Sequence, residues 1–172
     1  MVSLLLLSTT MVLGALTGGR FAHASWPRFT VSGLHRSMSL VGLGFVGAHV
    51  ATAVIDSYAG IGWLDVLVPF TSVYRPLWLG LGAIAFDLVV ALVATSLMRP
   101  RIDPRGWRIV HWAAYACWPL AVAHGLGAGP ADARLTWVLA VNAGCVLAVV
   151  VAVTWRATAS HPDTVARGGG GW

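Results

Sequence analysis

The sequence predicts an all-α integral membrane protein, a polytopic bundle of about five transmembrane helices. Three observations carry this expectation. Of the 172 residues, 58% are hydrophobic and only 10% are charged, whereas soluble domains carry roughly 25% charged residues. The mean hydropathy is +0.78. The apolar residues gather into runs near the ~20 residues that one bilayer crossing needs.

The formal net charge is +5, and every one of the 11 basic residues is arginine. The arginines lie in short stretches between apolar runs. That is the pattern of the positive-inside rule rather than of a phosphate-binding face, so no nucleic-acid partner is expected. Cys117 and Cys145 each stand alone inside an apolar run. With no Cys-x-x-Cys, they read as small buried hydrophobes rather than metal ligands or a disulfide.

The apolar segments fall near residues 2–19, 34–56, 78–98, 107–128 and 134–155. The first is marginal in length and precedes Ala22-His23-Ala24-Ser25, which resembles a signal-peptidase site. No positive charge precedes the apolar run, which favours a retained first helix. Residues 61–76, IGWLDVLVPFTSVYRP, are interrupted by Asp65, Pro69 and Arg75. They read as an interfacial or re-entrant segment. Residues 1–155 then form one transmembrane domain. Residues 156–172, ending in ARGGGGW, form a short disordered tail.

Arginine counting orients the chain. Arg20, Arg28 and Arg36 lie on one side, with Arg99, Arg101, Arg105, Arg108, Arg156 and Arg167. Arg75 and Arg134 lie on the other, with Asp56, Asp65 and Asp132. The expectation is a multi-pass protein of the cytoplasmic membrane, N-terminus out and C-terminus in. Trp26, Trp107 and Trp155 mark one interface, and Trp63, Trp78 and Trp137 the other.

Of the six histidines, His23 and His161 lie in a loop and the tail and suit a surface role. The other four carry the functional argument. His35 and His49 are fourteen residues apart in the second segment, and His111 and His124 thirteen apart in the fourth. Ionisable groups at membrane depth mark functional sites. At ~1.5 Å per residue the pairs span roughly 21 and 19.5 Å, inside a hydrocarbon core ~30 Å thick. The two segments are separated by one crossing and run the same way. His35 therefore shares the inner level with His111, and His49 the outer level with His124.

Fourteen residues nearly close four helical turns, so His35 and His49 share a face, with Gly42 midway leaving room for a flat macrocycle. Thirteen residues fall short, and Pro119 is the expected place for a kink that rotates His124 back. Two imidazoles per level, with no local carboxylate or thiolate, suit haem, whose porphyrin supplies the other four nitrogens. Ser39, Tyr115 and Trp118 are expected supporting contacts. Arg36 and Arg108 read either as partners of haem propionates or as snorkelling interface residues. The run Gly42-Leu43-Gly44-Phe45-Val46-Gly47 matches G-x-G-x-x-G, but no strand precedes it and it lies mid-helix. It reads as a small-residue packing face.

These histidine spacings, with LVPFTSVYRPLWLGLGAIA at 67–85, Thr95-Ser96, Trp107-x-x-x-His111 with Tyr115, and His124-Gly125, resemble the ferric reductase-like transmembrane domain. That superfamily includes ferric reductases, NADPH oxidases and the haem subunit of the periplasmic methionine sulfoxide reductase system. The resemblance covers residues 5–155. It implies two b-type haems, the inner held by His35 and His111 and the outer by His49 and His124. It implies electron transfer from a cytoplasmic or quinol donor to an extracytoplasmic acceptor. It departs from the oxidases in having only a short tail after the last helix, with no FAD or NAD(P) site. A separate flavoprotein reductase or a quinol is therefore the expected donor. Ferric ion, oxygen, a quinone and an extracytoplasmic flavoprotein all fit as redox partners.

The alternative reading is a non-redox membrane subunit or metal-ion permease that uses the histidines for transport. Asp87, in the third segment, reads as a proton relay or as a buried structural acid with Asn142 as partner. Asp56, Asp65, Tyr74 and Arg75 gather on the outer side, where solvated loop groups and an acceptor site are both consistent readings.

Overall fold

The computed structural model describes residues 1–19, 21, 26–57, 59–129 and 135–158. The cleavage-like stretch 22–25, His23, His161, Arg20, Asp132, Arg134, Arg167 and most of the expected tail lie outside the described residues.

Among the described residues the chain is all-helical, without a strand. The helices are α1 (Val2–Gly18), α2 (Arg28–Ile55), α3 (Trp63–Leu67), α4 (Pro76–Leu97), α5 (Pro104–Trp112), α6 (Ala114–Ala128) and α7 (Thr136–Thr158). A 3₁₀ turn, Arg99–Arg101, precedes α5. Three helices are long and apolar enough to cross a membrane: α2, α4 and α7, of 28, 22 and 23 residues. α1 is apolar but shorter, at 17 residues.

Two boundaries differ from expectation. α2 starts six residues early, behind Pro27, whose fixed φ and missing N–H suit a helix start. The expected fourth segment is two helices, parted at Ala113. There the chain tightens: Ala113 N–H bonds to Val110 O at 2.9 Å and Ala116 N–H to Ala113 O at 3.0 Å, both i→i+3 contacts. Pro119, where the kink was expected, stays inside α6. The tighter turn sits between His111 and His124, where extra winding is needed. α5 begins on a strong cap, Asp103 accepting from the backbone N–H of Arg105 and Gly106 at 3.0 Å each.

α1 packs against α2, α6 and α7, and α4 packs against α6 and α3. Small side chains hold these contacts: Ala15, Ala83 and Ala85 are buried, and a Cβ on Gly42 would lie 3.6 Å from the Leu6 side chain. Gly42 thus packs on α1. Small residues let helix backbones close together where lipid offers no hydrophobic drive. Large side chains face outward instead: Leu40, Ile55, Leu97 and Leu147 are each more than 60% exposed. This inverts the soluble pattern and forms a lipid-facing surface.

The bundle interior carries a buried polar bridge. Trp118 Nε1–H donates to Ser8 Oγ at 2.9 Å, and that hydroxyl donates to Leu4 O at 2.8 Å. Cys117 Sγ–H reaches Ala85 O at 3.3 Å, tying α6 to α4. Ser8→Ala leaves the buried indole N–H without its acceptor. It is expected to lower stability by about 1 kcal/mol, read as an earlier thermal melt in detergent. An unchanged melt would show that the bridge adds nothing.

The segment 61–76 is a structured turn rather than a crossing. Asp65 accepts from Gly62 N–H and Thr71 Oγ, each at 2.9 Å. Arg75 Nη1 donates to Gly127 O at 2.7 Å and Gly129 O at 3.1 Å, which serves the open carbonyls at the end of α6. Asp65 and Arg75 therefore each do a structural task at this end of the bundle.

Candidate functional site

The four histidines meet in two pairs. His35 on α2 and His111 on α5 have ring centroids 6.4 Å apart with planes at 75°. His49 on α2 and His124 on α6 have centroids 6.1 Å apart with planes at 70°. α2 runs unbroken from residue 28 to 55, so its two histidines lie roughly 21 Å apart along the axis.

Each level has one histidine oriented by a backbone carbonyl from a neighbouring helix. His35 Nδ1 lies 3.0 Å from Thr10 O of α1, and His124 Nδ1 lies 2.9 Å from Trp78 O of α4. A carbonyl only accepts, so Nδ1 carries the proton in both rings and Nε2 keeps its lone pair. Metal-bound histidines are held in this way, the second ring nitrogen donating to a carbonyl.

Two glycines allow those approaches. A Cβ on Gly14 would stand 3.1 Å from His35 Cε1, and a Cβ on Gly82 would overlap the His124 ring. The other two rings are held differently. His111 stacks on Trp107, centroids 4.7 Å apart and planes at 22°, while its buried Nδ1 has no hydrogen-bond partner. His49 is exposed and meets the His124 ring.

Arg36 and Arg108 are exposed, and neither has a hydrogen bond or ring contact among the described residues. Two other arginines, Arg99 and Arg156, make ring contacts around His111's helix and the start of α6. Arg99 lies 4.4 Å over the Trp107 ring. Arg156 bonds Tyr115 Oη and lies 5.2 Å over Trp112. Tyr115 therefore supports Arg156 and Trp118 supports Ser8. Ser39 Oγ donates to His35 O at 2.7 Å, on the backbone rather than the ring.

Asp87 is half-buried on α4 with no hydrogen bond or ion pair among the described residues. Its expected partner, Asn142, donates within its own helix to Val138 O at 2.8 Å. The contacts that sequence reasoning missed are Thr10, Gly14, Trp78, Gly82 and Arg99. They are ordinary letters in apolar or loop text, and only the spacing Trp107-x-x-x-His111 signalled one of the neighbours.

Chemically, the arrangement is a membrane helical bundle with two stations of paired imidazoles. An imidazole nitrogen binds a metal at ~2.0–2.1 Å, so rings whose centroids lie 6.4 and 6.1 Å apart would be close enough for one metal to be held by both. Among the described residues no three or more His, Cys, Asp or Glu side chains converge as a metal-binding group. Each station thus offers two ligands, which suits a metal whose other positions are filled by a macrocycle. No family model, curated protein or solved structure matches the chain.

Proposed function

We propose that this protein is a two-haem membrane cytochrome b of the ferric reductase-like type, carrying electrons across the bilayer. His35 and His111 hold the inner b-type haem, and His49 and His124 the outer one. The observation that carries the proposal is the ring spacing of each pair, two imidazoles close enough for one metal to be held by both.

When bound, haem supplies the one-electron iron couple. The chain's residues do the rest. Thr10 and Trp78 carbonyls fix two ligand rings, Gly14 and Gly82 give those rings room, and the apolar helices keep water away. In this reading α1 and the α5–α6 pair also cross, making five crossings with the N-terminus outside and the C-terminus in the cytoplasm. Electrons enter at the Arg99–Trp107 end from a flavoprotein or quinol and leave at the Arg75 end to an extracytoplasmic acceptor. The permease reading calls for histidines converging with carboxylates or thiolates, and the described residues offer no such group.

The test is colour and stoichiometry. Protein purified with haem available should show a reducible bis-histidine b-haem spectrum at two haems per chain. A colourless preparation ends the proposal.

A further inference from the structure

At the inner level the two ligand rings are oriented by different means. His35 has the Thr10 carbonyl at 3.0 Å. His111 has no hydrogen bond at Nδ1, and its ring lies nearly parallel to the Trp107 indole, 4.7 Å away. The two residues are four apart on α5, hence on one face of that helix. Arg99, from the turn just before α5, sets its guanidinium 4.4 Å from the centre of the same indole. Trp107 Nε1 is buried and also has no partner.

An interfacial tryptophan normally keeps its N–H wet or hydrogen-bonded. Here the indole forgoes that bond and lies in ring contacts with a cation and a histidine. Leaving a buried donor without an acceptor is unfavourable, and the ring contacts are what the indole makes in its place.

We propose that Trp107 is a positioning residue that fixes the ring plane of His111, and that Arg99, seated on Trp107, raises the reduction potential of the inner site. The proposal rests on the haem reading above. A ring without a bond at Nδ1 is free to turn about its own axis, and a parallel indole removes that freedom. The ferric state carries one more positive charge than the ferrous state, so a nearby cation disfavours it. Coulomb repulsion between like unit charges acts in that direction at the effective dielectric of a protein surface, about 20. Arg99 is exposed, so solvent screening brings the expected shift to about three- to tenfold.

The test uses the full chain in detergent, loaded with haem, as wild type and as Trp107→Leu, Trp107→Phe and Arg99→Gln. Haem content, the low-spin ferric EPR spectrum and a redox titration are read for each. Trp107→Leu should keep two haems but broaden and shift the EPR signal of one, because that signal reports the angle between imidazole planes. Trp107→Phe, still flat, should restore it. Arg99→Gln should leave the EPR signal in place and lower one midpoint by three- to tenfold in equilibrium, about 30–59 mV.

A wild type without haem overturns the haem reading and this assignment with it. A two-haem wild type whose variants leave the EPR signals and midpoints unmoved overturns this assignment alone. If Trp107→Leu does not fold, Trp107→Met takes its place in the EPR comparison, and the Arg99→Gln midpoint is read independently.

Discussion

Deleting either imidazole of a level is expected, on the two-haem proposal, to remove one haem and leave the other in place. His35→Ala and His111→Ala should each halve the haem content and lose the same spectral component. His49→Ala and His124→Ala should each lose the other component. The reason is geometric: if rings 6.4 and 6.1 Å apart share one bound group, as proposed, the second deletion within a level has nothing further to remove. A double variant within a level should therefore match its singles, whereas one across levels should lose both haems. Transmembrane electron transfer should fall by more than the ~100-fold that loss of a supporting contact alone can cost. Haem assay, difference spectra and vesicle reduction kinetics check this. Four variants with equal, partial loss of both components would show that the histidines do not act in these pairs.

The second large effect is expected from a glycine far from any ligand in sequence. Gly82→Ala puts a methyl group where the His124 ring lies. The ring must move, and moving it breaks the contact of Nδ1 with Trp78 O at 2.9 Å. Losing such a supporting contact costs roughly 10–100-fold in affinity, and overpacking costs a further ~1–3 kcal/mol of stability. Gly14→Ala is the matched control, because its methyl would stand 3.1 Å from His35 Cε1 and a small ring shift relieves it. Haem retention against a scavenging apoprotein should fall steeply for the outer haem in Gly82→Ala and only several-fold for the inner haem in Gly14→Ala. Equal retention in both would show that His124 does not rest on that glycine.

The helices were legible because a bilayer sets a length, and apolar runs near that length stand out against arginine-bearing loops. The break at Ala113 was not legible. Its neighbours Trp112, Ala114 and Tyr115 carry no breaking signal, whereas Pro119 carries the usual one and yet sits inside α6. Local composition registers which residues resist a helix but not where packing asks one to tighten. Asp65 and Arg75 make the same point. Their outer location was readable, but their hydrogen bonds to Gly62, Thr71, Gly127 and Gly129 depend on how the turn folds back.

The cation–ring contacts were not legible either. Arg99 sits over Trp107, and Arg156 over Trp112 and beside Tyr115, contacts that join the turn after α4 and the end of α7 to α5 and α6. Asp87 and Asn142 were paired by depth alone, and Asn142 instead bonds its own helix.

By itself the sequence determined the apolar, helical class of the protein and the spacing of its two histidine pairs along the chain. Both follow from quantities local to the chain: the hydropathy of each run and the fixed rise per residue of a helix. Only the tertiary structure decided which atoms hold the rings. Thr10 and Trp78 present carbonyls, Gly14 and Gly82 give clearance, and Trp107 with Arg99 supports His111. Those contacts join helices distant in sequence, so they depend on the angles and rotations at which α1, α2, α4 and α6 pack, which no local pattern encodes.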